Sequence, residues 1–232
     1  MNFTEEERLR YKRHFLLNEV GEEGQKRLKN GKVLVIGAGG LGSPILIYLA
    51  AVGVGTIGIV DFDKVDRSNL QRQVIHTTGD IDIPKVESAK DKMIALNPNV
   101  NVVTYQVHFD ESNAETLVQD YDFIIDATDN FASKDLINST CVKMGKPYSF
   151  GAINEFYGQT FTYLPGCADY RSFFPEIPDV SIAHGLVGTI PGIIGNIQAT
   201  EAIKFLCGCG ELLTNRLLYI NALTMEFQVL SI

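Results

Sequence analysis

The sequence predicts an α/β fold, a Rossmann-like, doubly wound and mostly parallel sheet with antiparallel C-terminal strands. One observation behind this prediction is an apolar strand that runs into a glycine-rich turn and a helix start, Val33-Leu-Val-Ile-Gly-Ala-Gly-Gly-Leu-Gly42. Another is the alternation of short apolar strands with helical segments, which is typical of parallel sheets. A length of 232 residues with 45% hydrophobic residues favours a single domain, residues 1–232.

The N-terminal half of the chain supplies an arm and the first three predicted strands. A charged helical arm is expected over about residues 4–29, since Thr4 precedes three glutamates, as in an N-cap with an acidic first turn. Pro84 suits the first position of a later helix, and Asn97-Pro98-Asn99 ends that helix. The elements after the arm are predicted as a strand at 32–36, a helix at 41–52, a strand at 56–61, a polar loop at 62–83, a helix at 84–96 and a strand at 100–107.

The C-terminal half continues the alternation and then departs from it. Two strands separated by a short turn indicate a switch to antiparallel pairing. Residues 165–183, rich in Pro, Phe and Asp, predict a long loop, part of a mobile crossover loop at about 165–187 in which Phe173 and Phe174 are expected to pack. The remaining elements are predicted as helices at 111–119, 132–143 and 189–206 and as strands at 123–126, 147–153, 158–164, 217–221 and 225–230.

Composition argues against several classes of function. A formal net charge of −8 disfavours a nucleic-acid surface. No run of about 18 apolar residues is free of charge, so we expect no membrane span. The charged N-terminus lacks the apolar region of a signal peptide, which predicts a cytoplasmic enzyme. Cys141, Cys167, Cys207 and Cys209 form no C-x-x-C pair and are expected to be reduced thiols.

The glycine turn and the strand after it predict a nucleotide site. Glycines let the backbone approach phosphate oxygens, and a helix N-terminus supplies free N–H donors. The second predicted strand ends at Asp61, a carboxylate that can accept hydrogen bonds from ribose hydroxyls. The glycines expected to contact phosphate are Gly37, Gly39, Gly40 and Gly42. This fingerprint alone favours NAD or FAD, because dinucleotide enzymes are its commoner users.

Three further polar segments shift the interpretation away from a dinucleotide. Arg10-Tyr-Lys-Arg13 precedes the fold, and Ser68-Asn-Leu-Gln-Arg-Gln73 follows the ribose acid, with Lys85 twelve residues further on. Asp126-Ala-Thr-Asp-Asn130 ends the fourth predicted strand. Ligands of parallel α/β sheets bind at the carboxyl edge, where these segments are expected to meet.

Together these segments resemble the MoeB/ThiF (HesA) family, relatives of the catalytic domain of ubiquitin-activating enzymes. The resemblance extends from Arg10 to Phe227. The stretches that carry it are Asp61-Phe-Asp63, Asn69-Leu-Gln-Arg-Gln73, Pro84-Lys-Val-Glu-Ser-Ala89, Thr128-Asp-Asn130 and Gly195-Asn-Ile-Gln-Ala-Thr-Glu-Ala-Ile-Lys204. The family implies ATP, magnesium and adenylation of the C-terminal Gly-Gly carboxylate of a ubiquitin-like (MoaD/ThiS-like) sulfur carrier protein, with release of pyrophosphate.

The resemblance implies a role for each matching residue. Arg72 and Lys85 would hold the triphosphate, Asp129 would bind magnesium, and Arg13 would act as an arginine finger in the partner's site of a homodimer. The arm and residues 185–206 would supply the dimer interface. The other residues implied at the nucleotide are Asp61, Asp63, Asn69, Gln73 and Asn130.

The chain departs from many relatives at two places. The first zinc cysteine pair would fall at Asp169 and Ser172, and no second pair occurs near the end of the sequence, so we predict no zinc site. The family's crossover-loop cysteine falls at Ser181, a far weaker nucleophile. We therefore expect the reaction to stop at the acyl-adenylate, although Cys167 could replace the missing thiol.

Several alternatives remain open at this point. The chain could be an NAD- or FAD-dependent oxidoreductase, a non-catalytic nucleotide-binding relative, or an enzyme that adenylates a small-molecule or RNA-bound carboxylate. Asp129 could simply cap the following helix. Arg72 and Lys85 could be solvated charges, and the histidines are expected to be structural.

Overall fold

A computed structural model describes residues 3–176 and 185–232. Eight strands and eight α-helices lie within these two stretches. The strands are β1 (Lys32–Ile36), β2 (Thr56–Val60), β3 (Asn101–Tyr105), β4 (Phe123–Asp126), β5 (Tyr148–Asn154), β6 (Tyr157–Tyr163), β7 (Arg216–Asn221) and β8 (Glu226–Ser231). The helices are α1 (Glu5–Arg10), α2 (Gly21–Asn30), α3 (Gly42–Val52), α4 (Lys85–Leu96), α5 (Ala114–Val118), α6 (Phe131–Met144), α7 (Tyr170–Phe173) and α8 (Thr189–Cys207).

The strands form one sheet in the order β3-β2-β1-β4-β5-β6-β7-β8. The pairs from β3 through β5 are parallel, and the pairs from β5 through β8 are antiparallel. The predicted fold class is therefore confirmed, including the antiparallel C-terminal strands. The chain winds outward from β1 in both directions, so the carboxyl ends of β1 and β4 flank the point where a doubly wound sheet binds its ligand.

Both faces of the parallel region are buried under helices, and alternate residues of β1 therefore enter two different cores. Val33 and Val35 pack in the core that α2, α3, α4 and α8 cover. Leu34 and Ile36 pack in the core on the other face, against α5, α6 and α7. Burial on both faces explains why β1 reads as an unbroken apolar run.

The predicted arm is divided into two helices, which corrects the expectation of one helical segment over 4–29. Thr4 caps α1 as expected, in a capping box with Glu7. The chain then turns so that Tyr11 packs against Gly53, where its hydroxyl accepts a hydrogen bond from Asn97 Nδ2 at 2.8 Å. Gly21 begins α2 with φ +54°, a conformation that interrupts a right-handed helix.

Two other predicted elements differ from the structure. Helix α5 begins at Ala114 rather than near residue 111, because Asp110 accepts hydrogen bonds from the Ser112 N–H and hydroxyl and holds the preceding residues in a turn. The predicted loop at 165–183 contains the short helix α7, whose capping box joins Asp169 to Ser172. Sequence reasoning considered these positions only as absent zinc cysteines.

The segment around α7 is held by aromatic packing, as expected. The Phe173 ring lies 4.8 Å from the Phe161 ring, and the Phe174 ring lies 5.5 Å from the Phe150 ring, measured between centroids. The predictions made for Ser181 and His184 lie outside the described residues. Along the part of the chain that is described, no helix has the length and apolar character that a membrane crossing requires.

The turn between β1 and α3 requires glycine at two positions. Gly37 has φ +105°, a conformation that residues with side chains rarely adopt. A Cβ added at Gly42 would lie 2.1 Å from the Gly37 carbonyl oxygen, closer than any contact allows. The close approach of these two residues sets where α3 begins.

We predict that Gly42→Ala destabilises the protein by about 1–3 kcal/mol, because the added methyl must displace the backbone of Gly37. The matched control is Gly192→Ala within α8, where an added Cβ meets no atom within 4 Å. That change is expected to stabilise by about 0.5–1 kcal/mol through helix propensity. Urea unfolding of both variants checks the prediction, and equal effects of the two substitutions would contradict it.

Candidate active site

The candidate site lies where the carboxyl ends of the parallel strands meet the glycine turn. The turn is held at its start by a hydrogen bond from the Gly37 N–H to the Val60 carbonyl at 2.8 Å. At its end, the Gly39 carbonyl accepts the N–H and the hydroxyl of Ser43, at 2.9 Å and 2.8 Å. The glycine turn is thus fixed to β2 on one side and to α3 on the other.

The N-terminal end of α8 forms a second wall of the site. A Cβ added at Gly40 would lie 3.3 Å from Pro191 Cβ, and one added at Gly188 would lie 2.2 Å from the Gln71 carbonyl oxygen. The start of α8 therefore packs directly on the glycine turn and on the segment that carries Arg72. Sequence analysis assigned α8 only to the dimer interface, because no local pattern relates residues 188–191 to residues 40 and 71.

The N-termini of three helices lie at this edge of the sheet. Helices α3, α4 and α8 all begin there, and none of the three has a side-chain N-cap. Some first-turn N–H groups already donate to backbone carbonyls, as Ser43 does to Gly39 and Lys85 to Asp63. The positive ends of the three helix dipoles nevertheless favour anions. This edge is consequently suited to phosphate groups.

Asp61 is fixed by backbone donors at the end of β2. Its Oδ2 accepts the Ala38 N–H and its Oδ1 accepts the Asp63 N–H, both at 2.8 Å. Burial raises the pKa of the Asp61 carboxyl above its ordinary value of 3.8, and the Lys85 charge partly opposes this. Asp61 therefore joins the glycine turn to the next segment while keeping two carboxylate oxygens available as acceptors.

Lys85 is buried at the carboxyl edge of the sheet and is not a solvated surface charge. It is 5% exposed, at the first position of α4, and its Nζ donates to Asp63 Oδ2 at 2.8 Å. The Lys85 N–H also donates to the Asp63 carbonyl at 2.9 Å. This double contact holds Lys85 against Asp63, two residues after Asp61.

The segment from Asn69 to Gln73 lies between the glycine turn and α8. Arg72 is half-buried and its Nη1 donates to the Ser68 carbonyl at 3.1 Å. Asn69 accepts the Asp66 N–H at 3.3 Å, so its side chain helps to form the local turn. Gln73 is 4% exposed, and its buried Oε1 has no hydrogen-bond partner among the described residues.

Asp129 does not cap α6, which was the alternative role that the sequence left open for it. Asn130 caps α6, since its Oδ1 accepts the Ser133 N–H at 2.9 Å. Asp129 is exposed, and its carboxylate forms no hydrogen bond or ion pair with any residue in the described stretches. A carboxylate at the carboxyl edge is thus left available to a cation.

Sequence analysis missed a buried ion pair directly behind Asp129. Lys134 and Asp126 are 5% and 1% exposed, and Lys134 Nζ lies 3.1 Å from Asp126 Oδ2. The same ammonium donates to the carbonyls of Thr128 at 2.8 Å and Gly151 at 2.6 Å. A spacing of eight residues across a loop gives no periodic signal, so the pair could not be read from the sequence.

His76 has a structural position, as expected. One ring nitrogen lies 2.9 Å from the Ala38 carbonyl oxygen and the other 2.8 Å from Ser88 Oγ. Burial lowers the pKa of His76, which favours the neutral ring. The imidazole thereby connects the glycine turn to α4.

Within one protomer, Arg13 is not brought to the site. The arm packs at the far end of α3, where Tyr11 contacts Gly53, and Arg10 Nη1 donates to the Leu96 carbonyl at the end of α4. An 11-residue helix such as α3 is about 16 Å long, so exposed Arg13 lies near the end opposite its own glycine turn. Any action of Arg13 on a nucleotide would have to occur in another copy.

Cys167 also lies away from the site. It follows β6, whose last residue Tyr163 pairs with Tyr148 at the beginning of β5. Its neighbour Ala168 donates its N–H to Asn215, just before β7. Cys167 is therefore at the edge opposite Asp129, which argues against its replacing the thiol expected at Ser181.

A metal ion held by protein side chains alone needs several ligand side chains close together, unlike magnesium bound to a phosphate. Across residues 3–176 and 185–232, no group of three or more His, Cys, Asp or Glu side chains could hold a metal ion. The absence of a zinc site stays a prediction.

The sequence profile of the ThiF family matches residues 11–232. The chain belongs to the ThiF family. It is 46% identical over 99% of its length to a probable adenylyltransferase/sulfurtransferase, MoeZ, of Mycobacterium tuberculosis, and covers 61% of that protein. The chain thus spans about three fifths of the MoeZ relatives that it matches. It is 46% identical to a SAMP-activating enzyme E1 of Haloferax volcanii, with 94% of this chain and 83% of the relative covered.

Another relative matches along almost its whole length. A sulfur carrier protein adenylyltransferase of Thermus thermophilus is 42% identical, with 100% of this chain and 90% of the relative covered. Among solved structures, E. coli MccB with MccA-N7isoASN has a TM-score of 0.88 at 21% identity, covering 99% of this chain and 72% of that chain. This likeness confirms the fold.

The raised pKa of Asp61 predicts a pH-dependent stability difference. The folded protein disfavours ionisation of Asp61, so the unfolded state gives up this proton at a lower pH. Wild type should therefore lose stability relative to Asp61→Asn as the pH rises from 3.8 through the raised pKa. Urea unfolding of both proteins across this range measures the difference.

Asp122→Asn is the matched control, because Asp122 also accepts a backbone N–H, from Lys32, but is exposed. The relative loss is expected for the Asp61 substitution because that carboxyl is buried, while Asp122→Asn measures the effect of removing an exposed carboxylate that accepts a backbone N–H. A gain in the relative stability of wild type with rising pH would contradict the assignment.

Proposed function

We propose that the chain is an ATP-dependent adenylyltransferase, with residues 1–232 acting as a single adenylation domain. Its substrate would be the C-terminal Gly-Gly carboxylate of a ubiquitin-like sulfur carrier protein. The observation that carries the proposal concerns the Asp129 carboxylate. It has no partner among the described residues, and it lies at the same sheet edge as the glycine turn, Asp61 and Lys85. The printed names of three relatives, adenylyltransferase, SAMP-activating enzyme E1 and sulfur carrier protein adenylyltransferase, support the same reaction.

The residues fit a nucleotide triphosphate. The glycine turn lies at the edge of the sheet where α3, α4 and α8 begin without side-chain caps, so the positive ends of three helix dipoles face a bound anion. Asp61 offers acceptors for ribose hydroxyls. The cations of Arg72 and Lys85 would neutralise phosphate charge, with Lys85 exchanging its contact with Asp63 for a phosphate oxygen.

The residues also fit magnesium. Magnesium in nucleotide sites is commonly held by one or two carboxylates together with substrate phosphates. Asp129 is exposed and free of hydrogen bonds within the described residues, so it can supply such an oxygen without losing another partner. When bound there, the ion would withdraw charge from the phosphates.

The chemistry that this arrangement supports is attack of a carboxylate on the α-phosphorus. A carboxylate oxygen forms a bond to that phosphorus, and the bond from the α-phosphorus to the oxygen bridging to the β-phosphorus breaks, releasing pyrophosphate. Both reactants are anions, so rate enhancement depends mainly on positioning and charge neutralisation. No thiol is needed for this step, and the acyl-adenylate would pass to an external sulfur donor or a partner enzyme.

We further propose a homodimer in which Arg13 of one protomer reaches the nucleotide of the other. The exposure of Arg13 and its distance from its own glycine turn support this arrangement. Leu9 and Leu16, which flank it on the arm, are 75% and 68% exposed and could be covered by a second copy. The free thiols of Cys141, Cys167, Cys207 and Cys209 agree with a reducing compartment such as the cytoplasm.

The alternative of an NAD- or FAD-dependent oxidoreductase accounts for the glycines and Asp61. It gives no role to Lys85, Arg72 or Asp129, and no evident pair of groups for hydride and proton transfer faces the site in the described residues. The adenylyltransferase proposal uses all of these residues.

The proposal predicts exchange of labelled pyrophosphate into ATP, in the presence of magnesium, that depends on a carrier with a Gly-Gly tail. Exchange should appear with one carrier of a panel and fall by at least about 100-fold in Asp129→Ala. Asp122→Ala, an exposed carboxylate at the opposite sheet edge, serves as the control. Absence of exchange with every carrier, together with measurable NAD or FAD binding, would favour the oxidoreductase instead.

The proposed role of Arg13 predicts complementation between variants. Arg13→Ala and Asp129→Ala should each be inactive alone, whereas a mixture allowed to exchange subunits should regain about a quarter of wild-type exchange, since one site in each mixed dimer is intact. If Arg13→Ala retains full activity, or the mixture stays inactive while mixed dimers form, the role in the partner's site is wrong.

A further inference from the structure

The buried pair of Lys134 and Asp126 holds both backbone groups of Thr128, its N–H and its carbonyl. Asp126 Oδ1 accepts the Thr128 N–H at 3.0 Å and the Thr128 hydroxyl at 2.6 Å. Lys134 Nζ donates to the Thr128 carbonyl at 2.8 Å. Both polar groups of the Thr128 backbone are therefore held by partners that are themselves buried and paired.

The same ammonium also fixes this loop to the neighbouring strand. Lys134 Nζ donates to the Gly151 carbonyl of β5 at 2.6 Å and lies 5.1 Å from the centroid of the Phe150 ring. From the other face of the sheet, Gln198 Nε2 donates to the Asp126 carbonyl at 2.8 Å and the Ser149 carbonyl at 3.2 Å. The ends of β4 and β5 are thus joined by one side chain from α6 and one from α8.

Asp129 is the next residue after this fixed point, and its other neighbour is fixed as well. Asn130 is committed to capping α6 through its hydrogen bond with Ser133. Asp129 consequently has a constrained backbone on each side and an exposed carboxylate that no described residue contacts. Since no described side chain fixes the Asp129 carboxylate, its position depends on the residues that hold the Asp129 backbone.

We propose that Lys134 is a positioning residue for Asp129, acting through the Thr128 carbonyl to hold the Asp129 carboxylate where it can bind a divalent cation. This inference rests on the proposed function, since it assigns Asp129 the metal. Hydrogen bonds donated to two carbonyls and a buried carboxylate partner exceed what packing at the start of α6 requires. A role confined to stability would leave the affinity for the metal unchanged in a folded variant.

The first test measures the metal directly. The affinity for Mn²⁺ in the presence of α,β-methylene-ATP, which cannot release pyrophosphate, is determined by titration calorimetry without any carrier. Lys134→Met should weaken Mn²⁺ binding by about 10-fold, as loss of a residue that orients a metal ligand does. Lys134→Arg, which can still donate to several carbonyls, should restore affinity to within about twofold of wild type. Lys143→Met is the matched control, since Lys143 lies on α6 like Lys134 but forms an exposed ion pair with Glu115 of α5.

A double-mutant cycle decides whether Lys134 acts through Asp129. In the Asp129→Asn background, adding Lys134→Met should weaken Mn²⁺ binding further by less than about twofold. An undiminished effect of about 10-fold in that background would overturn the proposal, because Lys134 would then act on the metal by another route. Unchanged Mn²⁺ affinity in folded Lys134→Met would overturn it too.

Folding is addressed by a second variant and a second measurement. Lys134→Met leaves the Asp126 charge buried without a partner, which could prevent folding. The double substitution Asp126→Asn/Lys134→Met therefore removes both charges. The amide oxygen at position 126 still accepts hydrogen bonds from Thr128. Hydrogen exchange of the amides at 126–130 should accelerate in this variant and not in Lys143→Met. Unchanged exchange there would overturn the proposal whether or not the protein adenylates a carrier. Failure of the proposed function would instead appear in wild type, as absence of Asp129-dependent Mn²⁺ binding.

Discussion

The contact between Gly42 and the Gly37 carbonyl is the constraint on which the site depends. It permits no side chain at Gly42, and it makes the chain reverse from β1 into α3 within a few residues. The end of β1 and the beginning of α3 are thereby brought into direct contact. The start of α8 then packs on Gly40 through Pro191, so the second helix terminus is positioned by the first.

The site combines the dipoles of helix N-termini with charged side chains, most of which are held in place by a hydrogen-bond or ion-pair partner. Asp61 is stabilised by two backbone N–H groups in a half-buried position, and Lys85 by Asp63 at the beginning of α4. Asp126 and Lys134 neutralise each other in the interior. Asp129, by contrast, has no protein partner for its carboxylate in the described residues. An edge rich in N–H donors and cations with a free carboxylate is suited to a metal-bound polyphosphate.

The sequence predicted the fold and the local part of the site because these depend on short-range patterns. The glycines, Asp61 and the helix that begins at Lys85 each carry a periodic or turn signal, and the strand pairs follow from alternation with helices. The prediction for the arm was wrong in one respect, because the break at Tyr11 depends on its contact with Gly53 and Asn97.

Contacts between distant residues could not be predicted in the same way. Lys134 reads as an ordinary helical lysine, and its burial follows only from the position of β5. Gln198 on α8 contacts the Asp126 carbonyl across 72 residues of sequence. Such partners belong to different elements that meet only in the folded sheet, so no window of sequence contains both.

The long separation in sequence between β1 and α8 has a consequence for biosynthesis. Ile194, Ala199 and Ala202 complete the core that β1, β2 and α3 begin, and the Cys207 thiol donates to the Gly24 carbonyl from the end of the same helix. A nascent chain emerging from the ribosome therefore presents an uncovered apolar sheet face until most of these residues have been translated. The core therefore closes only after α8 has been made, and until then the growing polypeptide is a natural client for chaperones that shield apolar surface.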